Sequence, residues 1–306
     1  MLVAIGECMV EIAPAGDGNY QFGYAGDTFN AAWACKMLSP ADDAVRYVTA
    51  IGTDWISDQL LEFVAGSGLD LSAVTRDPAR SVGLYAVKLD NGERSFAYWR
   101  SGSAATALAD DTDFLESSLQ GASHALFSGI TLAILPPNGR RNLYQALSKA
   151  RDRGTRIVLD SNYRARLWPS AAMARAELTK FSEISDCVLP SFSDEAELFG
   201  DTNPEMTADR FADLGVDEVI VKNGSAPALC VWGEHREFVP SILVDQVVDT
   251  TGAGDAFNGA YLAARSQGMV PSVAAAFAHD VAAISVQTRG ALIPRDTRQR
   301  LVGRTR

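Results

Sequence analysis

The chain has 306 residues, 47% of them hydrophobic and 21% charged, enough apolar side chain to bury a sizeable core and too much for a disordered chain. Its formal net charge is -11, from 27 basic and 38 acidic side chains, which argues against nucleic acid or an anionic membrane as a general partner. The N-terminal MLVAIGECMVEIAP has neither the basic start nor the long apolar centre of a signal peptide, and no stretch approaches the roughly 18 apolar residues of a spanning helix, so a cytoplasmic protein is expected.

Residues 2–6 and 9–13 are short apolar runs that read as strands, with a further strand near 20–25. Residues 27–38 read as a helix, capped by Asp27 or Thr28, with Phe29, Ala32, Trp33 and Leu38 on its apolar face. Residues 45–51 are strand-like and 55–65 helical. Strands at 82–89 and 94–99 flank Asp90-Asn91-Gly92, which has the residue types of a hairpin turn. Beyond residue 120 the pattern alternates. Strands are predicted at 125–128, 156–160, 187–190 and 218–222, with helices at 136–153, 171–181, 195–199 and 207–214. An antiparallel pair at 228–232 and 237–240, a strand-like run at 243–248 and helices at 253–267 and 272–288 complete the chain. Alternation of this kind predicts an α/β fold with a mostly parallel sheet covered on both faces, the strands at 9–25 and 82–100 forming a small β appendage. Ligands of such sheets bind at the carboxyl ends of the strands. No linker or repeat divides residues 1–306, so one domain is expected. Cys8, Cys35, Cys187 and Cys230 show no C-x-x-C spacing and read as reduced, buried thiols, and three scattered histidines offer no zinc spacing.

The strongest local signal is D-T-T-G-A-G-D-A-F at 249–257. Glycines around an alanine let the backbone turn tightly, and a helix begins at once, so several N–H groups and the helix dipole converge on one point. That makes a nest for an anion such as a phosphoryl group in transfer, with Asp255 at its mouth to take a proton from an attacking hydroxyl. A dinucleotide fingerprint fails at its third position, Phe257, and no Walker loop is present. A plain helix start with an acidic first turn explains the glycines alone but not the whole segment.

With that segment, I-G-E-C-M-V-E at 5–11, A-G-D-T-F-N at 25–30, G-L-Y at 83–85, Y-W-R at 98–100, S-G-I-T-L-A-I-L at 128–135, N-Y-R-A-R-L-W at 162–168 and R-G-A-L-I-P at 289–294 resemble the ribokinase-like, PfkB-type carbohydrate kinases in the same order, over nearly the whole chain. Within that family the likeness is greatest to the branch acting on 2-dehydro-3-deoxygluconate. The resemblance implies a three-layer ribokinase-like fold with a β lid, and Mg2+-assisted transfer of the ATP γ-phosphoryl to the 6-hydroxyl of 2-dehydro-3-deoxy-D-gluconate. Carried over by position, Asp255 is the base and Gly252, Ala253 and Gly254 form the anion hole. Gly26, Asp27 and Asn30 grip sugar hydroxyls, although Asp27 also reads as an ordinary helix start. Tyr85 and Tyr98 lie on the lid, where Tyr85 either covers the sugar or fills the lid's own core. Asn162 and Arg164 follow a strand end; Arg164 is expected on the substrate carboxylate, Arg100 on that carboxylate or on the transferring phosphoryl, and Arg166 in an ordinary surface salt bridge.

Lys222, Gly224 and Ser225 match the turn that holds nucleotide phosphates, though Pro227 and Ala228 stand where a second glycine is usual. His279 sits where the family packs adenine, or is a packing histidine. Ser191-Phe192-Ser193-Asp194 replaces the family's Asn-x-x-Glu; Ser191 cannot copy the amide, while Asp194 can still reach Mg2+ through water. Asp249 and Thr251 lie where relatives bind a monovalent cation, K+ being the candidate. Lid strands imply a homo-oligomer. The alternatives are a kinase for the galactonate epimer, for fructose, ribose or a nucleoside, a non-catalytic sugar sensor, and a nicotinamide dehydrogenase.

Overall fold

The computed structural model describes residues 1–16, 18–90 and 93–304; the turn expected at Asn91-Gly92 lies outside them. Thirteen strands are described: Leu2–Ile5 (β1), Met9–Gly16 (β2), Asn19–Ala25 (β3), Val45–Gly52 (β4), Val74–Asp77 (β5), Leu84–Asp90 (β6), Glu93–Trp99 (β7), His124–Ser128 (β8), Arg156–Asp160 (β9), Cys187–Val188 (β10), Glu218–Val221 (β11), Ala228–Trp232 (β12) and His235–Val239 (β13). They form a nine-stranded sheet in the order β13-β12-β11-β10-β9-β8-β1-β4-β5 and a four-stranded sheet in the order β3-β2-β6-β7. The large sheet is parallel except at β12 and β13.

Alternate residues of the large sheet face opposite layers, as the two-residue period of a strand requires. Val3, Ile5, Ala125, Phe127, Ile157 and Leu159 join one core cluster, while Leu2, Ala4, Leu126 and Val158 join the other. Helices Asp27–Leu38 (α1) and Trp55–Ala65 (α2) pack on the second cluster. Thr112–Ser118 (α3), Gly129–Ile134 (α4), Pro137–Asp152 (α5), Ala171–Ser182 (α6), Phe192–Phe199 (α7) and Pro204–Asp213 (α8) pack on the first. Ala253–Ser266 (α9), Pro271–Ser285 (α10) and Thr297–Arg304 (α11) return to the second. Helices on both faces of a mostly parallel sheet, with a smaller separate sheet, are the ribokinase-like architecture.

Several local expectations are corrected. Helix α1 has the expected bounds, but Gly26 is its N-cap and Asp27 stands in the first turn without a capping hydrogen bond. The run at 243–248 is not a strand: it joins no ladder, the Val248 N–H donates to the carbonyl oxygen of Val286 instead, and Leu243 is 85% exposed. Strand β5 and helices α3, α4 and α11 were not foreseen. Helix α4 lies inside S-G-I-T-L-A-I-L, where Ser128 and Thr131 form a capping box. All four cysteines are buried and free. Among the described residues no helix is long and apolar enough to cross a membrane.

Candidate active site

A cavity of about 450 Å³ opens at the carboxyl ends of the parallel strands, roofed by the small sheet. Asp160 ends β9, Ser191 follows β10 and Lys222 follows β11, while Tyr85, Phe96 and Tyr98 come from β6 and β7. The helix that supplies Asp255 is brought close by a missing side chain: a Cβ on Gly259 would lie 2.2 Å from the carbonyl oxygen of Ala31. Because α9 therefore approaches α1 closely, Asn30 Nδ2 donates to Asp255 Oδ2 at 2.8 Å.

At the start of α9, Gly252 is the N-cap with φ +73°, and no side chain caps the helix, so its first amides face the cavity that residues 250–254 line. Lys222 stands beside this turn, its Nζ 3.7 Å from where a Cβ on Gly254 would be. Its ammonium donates to Asn258 Oδ1 at 3.0 Å and lies 3.4 Å from Asp160 Oδ2, which also accepts from Asn258 Nδ2 at 2.6 Å. Asp160 in turn accepts from the backbone N–H of Asn162, whose Nδ2 donates to Asp27 Oδ2 at 2.9 Å. Asn162 has φ +28°, the one non-glycine in the left-handed region among the described residues, where asparagine is among the best tolerated side chains. One hydrogen-bonded chain thus runs from Lys222, beside the turn that opens α9, to Asp27 at the start of α1.

Burial pushes the Asp255 carboxyl up to about 7; the charges of Asp27 and Asp160 add to that, and the Asn30 hydrogen bond and Lys222 oppose it. Burial also raises Asp27, against the hydrogen bond from Ser128. A carboxylate poised near neutrality beside a ring of amide donors can accept a proton while its neighbours hold an anion.

The guanidinium groups of Arg100, Arg164 and Arg166 line the same cavity. Arg100 is buried and ion-paired with Glu7, which also accepts from Ser103 Oγ. Burial raises the Glu7 carboxyl and Arg100 works against it. Arg164 donates to Asp194 Oδ2 at 3.0 Å and to the carbonyl oxygen of Tyr163. Arg166 was expected in a surface salt bridge; it makes none among the described residues and instead lies over the Tyr98 ring, 3.8 Å from its centre. Tyr85 is buried, stacks on Tyr98 with centroids 5.6 Å apart and donates its hydroxyl to Glu11, so it belongs to the lid core and lines the cavity at once.

Of the residues singled out in the sequence, the cavity gathers Gly26, Asp27, Asn30, Tyr85, Tyr98, Arg100, Asn162, Arg164, Ser191, Asp194, Lys222, Gly252, Ala253, Gly254 and Asp255. Gly224, with φ +59°, and Ser225 lie in the turn beyond Lys222, outside its lining. His279 is buried in edge-to-face contact with Phe257, 5.1 Å between centroids, and does not line the cavity. Asp249 is also buried; its two carboxylate oxygens accept from the backbone N–H groups of Thr251 and Gly290, tying two loops together. Sequence reasoning missed Asp160, Asn258, Glu7 and Arg166. Asn258 stands three residues after Asp255, on the same helical face, and Glu7 is a charge inside an apolar run. Those were readable signals.

The chain belongs to the pfkB family of carbohydrate kinases, whose model matches residues 1–298. Members are phosphotransferases with an alcohol group as acceptor. The 2-dehydro-3-deoxygluconokinase of Escherichia coli strain K12 is 36% identical over 302 residues, covering 96% of this chain and 97% of that one. Among solved structures, a Thermotoga maritima 2-dehydro-3-deoxygluconokinase has a TM-score of 0.85 at 20% identity, covering 99% of both chains. A Xylella fastidiosa fructokinase with bound ATP also scores 0.85, at 21% identity, over 99% of this chain and 98% of that one. The fold alone does not distinguish an acidic sugar from a neutral one.

Proposed function

We propose that this protein transfers the γ-phosphoryl of ATP to the 6-hydroxyl of 2-dehydro-3-deoxy-D-gluconate in the cytoplasm, with Asp255 as the base. The observation that carries the reading is the Asp255 carboxyl, held near neutrality beside the uncapped amides of α9, in a cavity whose far wall presents arginines. The name of the Escherichia coli relative supports the substrate class. A neutral sugar has no use for arginines at that wall, whereas guanidinium pairs with carboxylate bidentately.

Phosphoryl transfer asks for alignment and charge stabilisation more than for covalent chemistry by the protein. Asn30 and Asn162 set Asp255 and Asp27 against the sugar hydroxyls. Asp255 takes the proton of the attacking hydroxyl. The amides at 252–254 and the Lys222 ammonium answer the charge that grows on the phosphoryl oxygens, and Asp160 and Asn258 keep that ammonium in place. The small sheet excludes water that would otherwise accept the phosphoryl. Among the described residues no three His, Cys, Asp or Glu side chains converge on one metal position. Asp194, with Ser191 and Ser193, suits a Mg2+ ion that arrives on the nucleotide and keeps its waters. A K+ ion near Asp249 would act through the two loops that Asp249 already joins.

The test is ADP release with magnesium and ATP across 2-dehydro-3-deoxy-gluconate, its galactonate epimer, fructose, ribose and adenosine, in KCl and in NaCl. A preference for the keto-deoxy acids is expected, with faster turnover in KCl than in NaCl. A preference for a neutral sugar would sink the substrate assignment, and no turnover with any of them would favour a sugar sensor.

The small sheet leaves Tyr20, Phe22 and Trp99 at least 60% exposed, and we infer that two copies pair through it. Sedimentation at micromolar concentration should give a dimer that Phe22→Glu converts to monomer; a monomer in the unaltered protein would refute the pairing.

A further inference from the structure

Of the cationic side chains that line the cavity, Arg100, Arg164 and Lys222 each have a carboxylate partner. Arg100 is neutralised by buried Glu7, Arg164 by Asp194 and Lys222 by Asp160. Arg166 faces the same space and, among the described residues, has no carboxylate partner. It stands in the short 3₁₀ turn Ala165–Leu167, two residues after Arg164, and its guanidinium carbon lies 3.8 Å from the centre of the Tyr98 ring of the small sheet. A guanidinium held against an aromatic ring keeps N–H groups that can still donate, so one residue can bind an anion and a lid aromatic together.

The geometry points to Arg166 as the residue that discriminates an acidic sugar from a neutral one, donating to the substrate carboxylate while it clasps Tyr98. This deepens the sugar-acid reading and rests on it. Arg164 is left a different principal duty. It is committed to Asp194, the carboxylate suited to the nucleotide's Mg2+, and its loss acts mainly on turnover. A charge that already has a partner gains little from a second carboxylate, whereas an unanswered one gains a full charge-assisted hydrogen bond. The expected division of labour is therefore that Arg166 sets KM for the acid and Arg164 sets kcat.

The experiment measures kcat, KM for the acid and KM for ATP in the unaltered enzyme and in Arg166→Gln, Arg166→Lys and Arg164→Gln, with melting temperatures alongside. Arg166→Gln should raise KM for the acid by about 10- to 100-fold, with kcat and the ATP KM within a factor of about three. Arg166→Lys should fall between, because lysine restores the charge but not the planar face. Raising the salt concentration should increase KM for the acid in the unaltered enzyme and barely change it in Arg166→Gln. An unchanged KM in Arg166→Gln, or a loss confined to kcat, or one shared equally by ATP, would overturn the assignment. If Arg166→Gln does not fold, a KM for the acid in Arg166→Lys equal to that of the unaltered enzyme overturns it. Failure of the parent reading looks different: the unaltered enzyme would then show no preference for the keto-deoxy acids at all.

Discussion

Asp255→Asn is expected to bind ATP and the sugar acid normally and to turn over about 10²- to 10⁴-fold more slowly, the usual contribution of a positioned general base. The amide keeps the size of the side chain and can still accept the hydrogen bond from Asn30 Nδ2, so the loss reports the proton acceptor and not the shape of the site. In the unaltered enzyme kcat/KM should climb with pH and level off above about 7, where burial and the neighbouring Asp27 charge leave the Asp255 carboxyl half ionised. That limb should vanish in the variant. Stability should move the opposite way. The folded protein holds the Asp255 proton more tightly than the unfolded chain, whose carboxyl titrates near 3.8. The carboxyl's favourable contribution is complete below that value and is lost as pH rises through about 7. Asp255→Asn removes the buried charge, so its melting temperature should exceed that of the unaltered protein at pH 8, by a few degrees, and match it near pH 4. Near-normal turnover in the variant would remove the base assignment. A melting temperature unchanged at pH 8 would show that the carboxylate is not held at a cost.

Gly252→Ala should be nearly as damaging to turnover, for a reason of backbone geometry. Residue 252 has φ +73°, where an L-residue with a Cβ loses roughly 1–2 kcal/mol, and its Cβ would lie 2.3 Å from the carbonyl oxygen of Ala291 and 2.8 Å from that residue's Cα. Both obstacles are backbone, so they cannot swing aside as a flexible side chain would. The turn must open, which moves the first amides of α9 away from the transferring phosphoryl. A loss of about 10²- to 10³-fold in kcat is expected, the scale seen when an oxyanion donor is removed, with KM for the sugar acid little changed. Circular dichroism should report an intact fold. Wild-type kcat in Gly252→Ala would show that these amides do not stabilise the transition state.

How much of this was legible beforehand depends on the range over which each signal acts. The alternation of apolar strands with amphipathic helices is local, and it yielded the parallel sheet, the covering layers and the separate lid strands. The segment 249–257 carries its signal in its own backbone, because glycine spacing at a helix start can turn several amides towards one point. The likeness of eight segments to one family brought most of the cavity-lining residues into view before any coordinate. The strand expected at 243–248 failed because strand propensity is realised only in a ladder, and here the Val248 and Asp249 amides donate to the carbonyl oxygen of Val286 instead.

What the sequence by itself determined, then, is the class of protein: an α/β carbohydrate kinase, legible in a glycine turn at an acidic helix start and in arginines after strand ends. Only the tertiary structure decided which charges are already spent. That Glu7 neutralises Arg100, that Asp194 holds Arg164, that Asp160 and Asn258 pin Lys222 and that Arg166 is left facing Tyr98 depend on contacts between residues tens of positions apart. The physical reason is that a formal charge is a property of one residue, whereas its availability to a ligand depends on distances of a few ångströms to groups that the fold alone brings together.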